Sequence, residues 1–287
     1  MTELRDSGEG VVDVVVLLAS HNRRETTIAC LRALFSAAVA GSARLSVVLV
    51  DDGSIDGTAD AIRHQFPSVE VVDGSGDLFW AGAMRLGLST AHPQLLRSEW
   101  ILLLNDDTLL SLDALTLLLG AARRSNAGAV VGRVVDAESG SGTYGGLRRH
   151  SSLRRMTFVP VAPGESVETF NANAVLLRTR ALLAQGGLDA CFTHGLADID
   201  LGLRLRASGV KIVSTDGPVG TCSRNSTVGT HLDPRLGLSQ RWRAVRSVKG
   251  IPPREWRHFV KRHAGAPWPF YFVAPYVRVV RPRRIPR

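Results

Sequence analysis

The nine residues from Val11 to Ala19 (VVDVVVLLA) are nearly all apolar and rich in β-branched side chains, as expected of a strand buried on both faces of a parallel sheet. A polar turn, Ser20-His21-Asn22, follows. From Arg24 to Val39 the apolar residues Ile28, Leu31, Leu34 and Phe35 recur at helical spacing, and Gly41 stands where the helix should stop. A second strand, Leu45 to Val50, runs into Asp51-Asp52-Gly53-Ser54. Next come a helix over Asp56 to Phe66, a strand Val69 to Val72, a helix Gly82 to Ala91 and a strand Trp100 to Leu104. Such alternation specifies βαβ units with right-handed crossovers.

The alternation weakens after Val135. Asp136 to Gly146 is rich in Gly and Ser and reads as a loop. Short strands are expected over Thr157 to Val161 and Ala174 to Arg178, and helices over Arg180 to Gln185 and Asp198 to Ala207. Asp198 and Asp200 suit the start of that last helix, where the dipole favours anions, and Gly209 suits its end. The fold class is therefore α/β with a mixed second half. There is no internal repeat.

Charge divides the chain unevenly. The 287 residues carry a formal +9, but Arg235 to Arg287 holds 14 Lys/Arg against one acid, Glu255, leaving residues 1–234 at −4. We expect a catalytic domain over 1–234 and a basic, aromatic extension over 235–287. The high pI belongs to the extension, so no nucleic-acid partner is implied. Cys30, Cys191 and Cys222 are widely spaced and form no zinc pattern, as in a reduced, cytoplasmic protein. Met1 to Gly10 is polar and unlike a signal peptide, and no apolar run reaches the roughly 18 residues of a membrane span.

Ligands of parallel α/β sheets sit beyond the carboxyl ends of the strands, and three of those ends carry polar clusters: Ser20-His21-Asn22, Asp51-Asp52-Gly53-Ser54 and Asn105-Asp106-Asp107. One Asp-Asp pair after a strand is commonly turn chemistry. Two such pairs on neighbouring strands point to a cation or ribose site, because clustered carboxylates repel unless something positive or hydrogen-donating lies between them.

Taken in order, these pieces resemble the family 2 glycosyltransferases of the GT-A (Rossmann-like) fold, over about Val12 to Ser214. They are Ser20-His21-Asn22-Arg23, VDDGSIDGT (50–58), GDLFWAGAMRLGL (76–88), LNDDT (104–108), NAVLLRTRALLAQGGLD ending at Asp189, and ADIDLGLRLRASG (197–209). The resemblance implies a single α/β domain with a mixed central sheet, a nucleoside-diphosphate sugar donor, and Mn²⁺ or Mg²⁺. It assigns Asp52, with Asp51 beside it, to the nucleotide base or ribose, and Asp77 to a further base-side contact. Ser20 and Asn22 join this donor-binding set, and Asp106 would face ribose and sugar. Asp107 would ligate the metal, for which one hard carboxylate suffices when a diphosphate supplies the rest. Asp198 would be the general base of an inverting transfer to a carbohydrate or lipid-linked hydroxyl.

Some positions depart from the family pattern. Asn105 replaces the first Asp of D-x-D, Ala197 stands where Glu is common, and no metal-facing His occurs over 217–225, where Cys222 reads as a packed thiol. Asp200 is either an acceptor contact or an ion-pair partner of Arg204. Trp80 lines the donor pocket or packs in the core. His21 reads as a turn residue, and His194 is an acceptor candidate. Rhamnose and galactofuranose are the donor sugars suggested by the GDLFWAGAM segment.

Other classes fit less well. A sugar nucleotidyltransferase needs a Gly-rich loop after the first strand, and a haloacid-type phosphatase needs D-x-D where Asp51-Asp52-Gly53 stands. A non-catalytic nucleotide-sugar or polyanion-binding protein is the alternative from a different class. For the extension, interleaved arginines and aromatics suit an anionic membrane surface, with the protein peripheral at the inner leaflet. The rival is aromatic packing back onto the catalytic domain.

Overall fold

The computed structural model describes residues 11–41, 43–162, 165–224 and 226–280; the polar start Met1 to Gly10 and the basic end Arg281 to Arg287 lie outside them. The first half alternates as its pattern requires: β1 (Val12–Ser20), α1 (Arg24–Ala40), β2 (Ala43–Asp51), α2 (Thr58–Gln65), β3 (Val69–Asp73), α3 (Phe79–Thr90), α4 (His92–Leu95), β4 (Trp100–Leu104), β5 (Leu109–Leu110), α5 (Ala114–Ser125) and β6 (Ala129–Val135). Short strands follow: β7 (Gly142–Tyr144), β8 (Gly146–Arg149), β9 (Phe158–Pro160), β10 (Thr169–Phe170) and β11 (Ala174–Arg178). The chain then runs through α6 (Thr179–Ala184), α7 (Ala197–Ala207), β12 (Ile212–Thr221), α8 (Leu238–Arg246), α9 (Pro253–His263) and α10 (Trp268–Val280).

The main sheet has the order β3-β2-β1-β4-β11-β6-β12-β5. β3, β2, β1 and β4 are parallel, β11 runs against both β4 and β6, and β12 is parallel to β6. The sheet is mixed, as expected. Val14, Val16 and Leu18 face one core and Val15 and Leu17 the other, which explains the unbroken apolar run of β1. The expected loop over 136–146 instead contains β7 and the start of β8, short pieces whose hydrogen-bond partners are β6, β9 and β10.

The reversal at β11 matters for the site. Because β11 is antiparallel to β4, with Ala174 opposite Leu104, the residues before β11 arrive at the edge where β1, β2 and β4 end. Glycine then lets α7 settle against β10: a Cβ at Gly202 would lie 2.3 Å from Thr169 Oγ1. The N-terminus of α7 therefore reaches the same edge.

The extension is helical, and its second helix belongs to the core of the catalytic region. Trp256, Phe259, Val260 and Ala264 are buried with Phe192, Leu201 and Leu205. Pro275 sits inside α10 and lacks the N–H that would bond the carbonyl of Tyr271. The Trp256 indole N–H fills that gap, donating to Tyr271 O at 3.1 Å and to Phe272 O at 3.2 Å. Among the described residues no helix is long and apolar enough to cross a membrane.

Candidate functional site

The ends of β1, β2 and β4 converge. The first two are laced together: Asp52 N–H donates to Ser20 O at 2.9 Å, Asn22 N–H to Ser54 Oγ at 2.8 Å, and Ile55 N–H to Asn22 Oδ1 at 2.8 Å. His21 Nδ1–H donates to Asp52 O at 2.6 Å, the turn role expected of it. Asn22 adopts φ 52°, a left-handed conformation Asn tolerates better than most residues.

Asp51 and Asp52 are both buried, and much of their capacity is spent within the protein. Asp51 Oδ1 accepts from the backbone N–H and hydroxyl of Ser54. Asp52 accepts three backbone N–H groups, from Gly76 (2.8 Å), Leu78 (3.2 Å) and Phe79 (2.8 Å). It thereby shapes the turn before α3, where Phe79 is held at φ 52°. Gly53 and Gly76 permit the close approach, since a Cβ on Gly53 would lie 2.7 Å from Gly76 Cα. Asp77, at the tip of that turn, is exposed and accepts the Ser75 hydroxyl.

Beyond β4, Asn105 Oδ1 accepts the Trp80 indole N–H at 3.0 Å. Trp80 also packs on the core, the second of the two readings given for it. Asp106 is buried and Asp107 about a quarter exposed. Between them sits Arg23, whose Nη1 donates to Asp106 Oδ1 at 3.1 Å and Asp107 Oδ2 at 2.9 Å. Burial opposes the charge on Arg23, but the two carboxylates outweigh it and hold the guanidinium more firmly protonated than usual. Burial raises the Asp106 carboxyl above the ordinary range despite Arg23. The sequence alone assigns Arg23 no role. The signal was present in the repulsion of the paired carboxylates, which demanded a positive neighbour.

Cys222 lies beside this pair, and its thiol donates to Asp107 Oδ1 at 3.4 Å. Burial and the Asp107 charge push it up to about 12, so it remains a protonated, packed thiol. No group of three or more His, Cys, Asp or Glu side chains suited to a metal ion occurs among the described residues. The donor set nevertheless fits a hard divalent cation held largely by a bound diphosphate: Asp107 offers a carboxylate, and the half-exposed Arg23 has room to withdraw.

Asp198, in the first turn of α7, is partly buried. Its carboxylate accepts Ile199 N–H at 2.8 Å and Ala172 N–H at 3.2 Å. Burial outweighs these bonds and pushes its carboxyl above the usual range, toward the proton affinity a base requires. The segment 171–173 joins it to the other cluster, for Asn173 O accepts Asn105 N–H at 3.0 Å. Leu196, just before α7, is held at φ 67°. Non-glycine residues in that region cost energy and cluster at functional sites, and Asn22, Phe79 and Leu196 all border this one.

The structure sets aside the acceptor role considered for Asp200. That residue is fully buried and accepts from Arg204 Nε (2.7 Å), Arg262 Nη1 (2.9 Å) and His263 Nε2 (2.8 Å), so no oxygen faces an incoming sugar. The alternative pairing with Arg204 is the observed one. Arg262 also reaches Asp189 at 2.7 Å, and His258 reaches it at 2.9 Å, so α9 is clipped to the segment before α7. His194 is partly buried, with its ring at the edge of Phe79. Its Nδ1 lacks a hydrogen-bond partner, and burial, with Lys249, lowers its pKa toward a neutral imidazole.

Comparison with known proteins fits this geometry. The chain is 26% identical over 206 residues to N-acetylglucosaminyl-diphospho-decaprenol L-rhamnosyltransferase of Mycobacterium tuberculosis, covering 62% of the chain. It spans 66% of the length of these relatives, just under two thirds. Among solved structures, mannosyltransferase PcManGT from Pyrobaculum calidifontis, in complex with GDP-Man and Mn²⁺, superposes with a TM-score of 0.55 at 16% identity, covering 96% of this chain and 72% of that one. S. aureus TarS in complex with UDP-GlcNAc gives 0.58 at 12% identity, with coverages of 94% and 82%. At these identities the likeness establishes the fold, GT-A. Residues 15–185 match the model of "Glycosyl transferase family 2", more than half of the chain. The chain belongs to that family.

Proposed function

We propose that the protein moves a sugar from a nucleoside-diphosphate donor to a hydroxyl of a lipid-linked carbohydrate, with inversion at the anomeric carbon. The observation that carries this reading is the short link between two unlike acidic sites. Asp106 and Asp107 follow β4, Asp198 opens α7, and the segment between β10 and β11 bonds Asp198 through Ala172 N–H and Asn105, next to Asp106, through Asn173 O. A leaving diphosphate and an attacking hydroxyl need such a pairing, one pole for negative charge and one for a proton.

In this scheme Asp198 takes the acceptor proton as the new bond forms, and its raised proton affinity at a helix N-terminus suits that step. Asp107 would hold Mn²⁺ or Mg²⁺, which when bound acts as a Lewis acid on the diphosphate. Asp106 and exposed Asp77 face the donor, while Asp51 and Asp52 hold the turns that frame it. Trp80, fixed by Asn105, supplies a flat wall for base or sugar. His194 and Phe79 stand at the acceptor side. No covalent intermediate is needed.

The names of the similar proteins support the substrate classes. A rhamnosyltransferase acting on a diphospho-decaprenol-linked sugar favours a lipid-linked acceptor, and GDP-Man and UDP-GlcNAc complexes favour a nucleotide-sugar donor. The deciding experiment measures nucleoside-diphosphate release from a panel of nucleotide sugars with Mn²⁺, with and without a polyprenyl-diphosphate-linked N-acetylglucosamine. Acceptor-dependent release from one donor is expected. Donor binding without release from any member of the panel would refute the reading.

A further inference from the structure

α9 and α10 form a hairpin with two outward faces of different character. On α10 the exposed side chains Phe270, Val273, Val277 and Val280 recur at spacings of three and four, so they line one side of the helix. Phe270 is 81% exposed, and Leu153, 87% exposed, stands beside it in the loop whose carbonyl accepts the Tyr271 hydroxyl at 3.0 Å. The inward residues of α10 are already engaged, with Tyr276 O–H donating to Ile251 O at 2.9 Å and Val279 buried. The aromatics of the extension thus divide, most of them packing inward, and the sequence-based choice between membrane and packing applies to separate faces.

The exposed side of α9 is cationic. Arg254, Arg257 and Lys261 are exposed at spacings of three and four, and with Phe272 of α10 they line one shallow groove. The Lys261 ammonium stands over the Trp268 ring at 5.1 Å, where the two helices meet. Arg278 on α10 and Arg154 beside Leu153 add further exposed charge. The acid of the extension, Glu255, is buried. A row of apolar side chains on α10 and a row of cations on the helix packed against it, with no exposed carboxylate between Arg235 and Val280, complement one kind of surface in particular.

We propose that these two faces together are a docking surface for an anionic lipid bilayer, with Phe270, Val273, Val277 and Val280 entering the interface and Arg254, Arg257 and Lys261 meeting lipid phosphates. Apolar burial and cation attraction act together on an amphipathic element lying in the interface plane. The ion cluster of Asp200 with Arg262 and His263 ties this hairpin to α7, so the docked element is joined to the helix that carries Asp198. The surface complements a lipid-linked acceptor but does not depend on that reading.

Co-sedimentation of the full chain with vesicles tests it. Vesicles of phosphatidylcholine with phosphatidylglycerol should bind the protein, pure phosphatidylcholine should not, and raising NaCl from about 0.1 M to about 0.5 M should release it by screening. Phe270→Gln with Val277→Gln should weaken binding by more than about tenfold through lost apolar burial. Arg254→Gln with Arg257→Gln should weaken it by a similar factor of about ten or more. All four positions are exposed, and unchanged melting temperatures would show that the variants fold. Absence of wild-type binding, or equal binding by wild type and both variants, would overturn the proposal. So would a dimer in sedimentation equilibrium that Phe270→Gln with Val277→Gln dissolves while vesicles go unbound, since a second copy would then own the face. Nucleotide release in solution is measured alongside, so failure of docking is distinguishable from failure of the enzymatic reading.

Discussion

Arg23 bridges Asp106 and Asp107 across 83 and 84 residues of sequence, its Nη1 lying 2.9 Å from Asp107 Oδ2. One guanidinium therefore occupies Asp107 Oδ2, an oxygen that carboxylate would offer a cation if it held one. Arg23→Gln should remove that competitor, so Mn²⁺ alone is expected to bind about tenfold more tightly, as for loss of one nearby like charge. The same variant should melt lower in chelator, by about 1–2 kcal/mol of stability given that Arg23 is half exposed, and Mn²⁺ should restore much of the loss. Calorimetric titration and melting with and without Mn²⁺ measure both effects. Unchanged metal affinity would show that Arg23 does not compete.

Asp107→Ala is expected to abolish metal-dependent turnover while the fold persists, because the side chain is partly exposed and its hydrogen bonds among the described residues are to Arg23 and Cys222. Full activity of the wild type in excess chelator would exclude a metal from the reaction.

Asp198→Asn should reduce transfer by at least about a hundredfold, the usual scale of general base catalysis, while leaving donor affinity unchanged. Its stability should respond to pH in a defined direction. The folded-state pKa of Asp198 is raised, so its contribution is most favourable below the unfolded value and is lost as pH rises through the folded value. The melting temperature of the Asn variant relative to wild type should therefore increase from about pH 4 to pH 7, given an unfolded value of about 3.9. A difference that shrinks over this range would contradict the buried carboxylate.

Asp200 should behave in the opposite way. Its pKa is lowered, since His263, Arg204 and Arg262 outweigh burial. It contributes stability above the unfolded pKa and loses it as pH falls through the folded one. Asp200→Asn should cost about 3–5 kcal/mol at neutral pH, because it removes the buried carboxylate that Arg204 and Arg262 share. The cost should diminish in acid below about pH 3.9. Denaturant unfolding at several pH values tests both directions.

Trp256→Phe should cost about 1–2 kcal/mol, because it strips a donor from the Tyr271 carbonyl that Pro275 leaves open. Pro275→Ala restores a backbone N–H to that carbonyl. In a double-mutant cycle the Trp256→Phe penalty should therefore be smaller on the Pro275→Ala background. Additive effects would show that the indole does not serve the missing bond.

The parts of the fold that were legible in the sequence are those dictated by local burial. β1 announced itself because both its faces are covered, and β4 did so for the same reason. Elements set by distant partners were harder to read. α3 begins at Phe79 rather than near Gly82 because Asp52, 27 residues earlier, captures its first amides. β7 and β8 carry little apolar pattern of their own and exist through pairing with β6, β9 and β10. In the candidate site, residue types at strand ends pointed to the one sheet edge where the structure gathers them, but the sharing of Asp106 and Asp107 with Arg23 and the burial of Asp200 under α9 required the tertiary structure. The extension was legible as composition only, since which aromatics turn inward depends on Trp256 and the floor beneath α10.

The reversal of β11 carries a consequence for grafting. Everything proposed for the donor precedes Val135, and everything proposed for the acceptor except Phe79 comes after Phe170, with the Asn105 to Asn173 hydrogen bond crossing between them. A chimera spliced within Asp136 to Gly140, a turn held by its own Asp136 hydrogen bonds, would exchange one part at a self-contained turn while β11 and β12 of the other still pair with β4 and β6. Such hybrids should inherit nucleotide preference from the N-terminal parent and acceptor preference from the C-terminal parent.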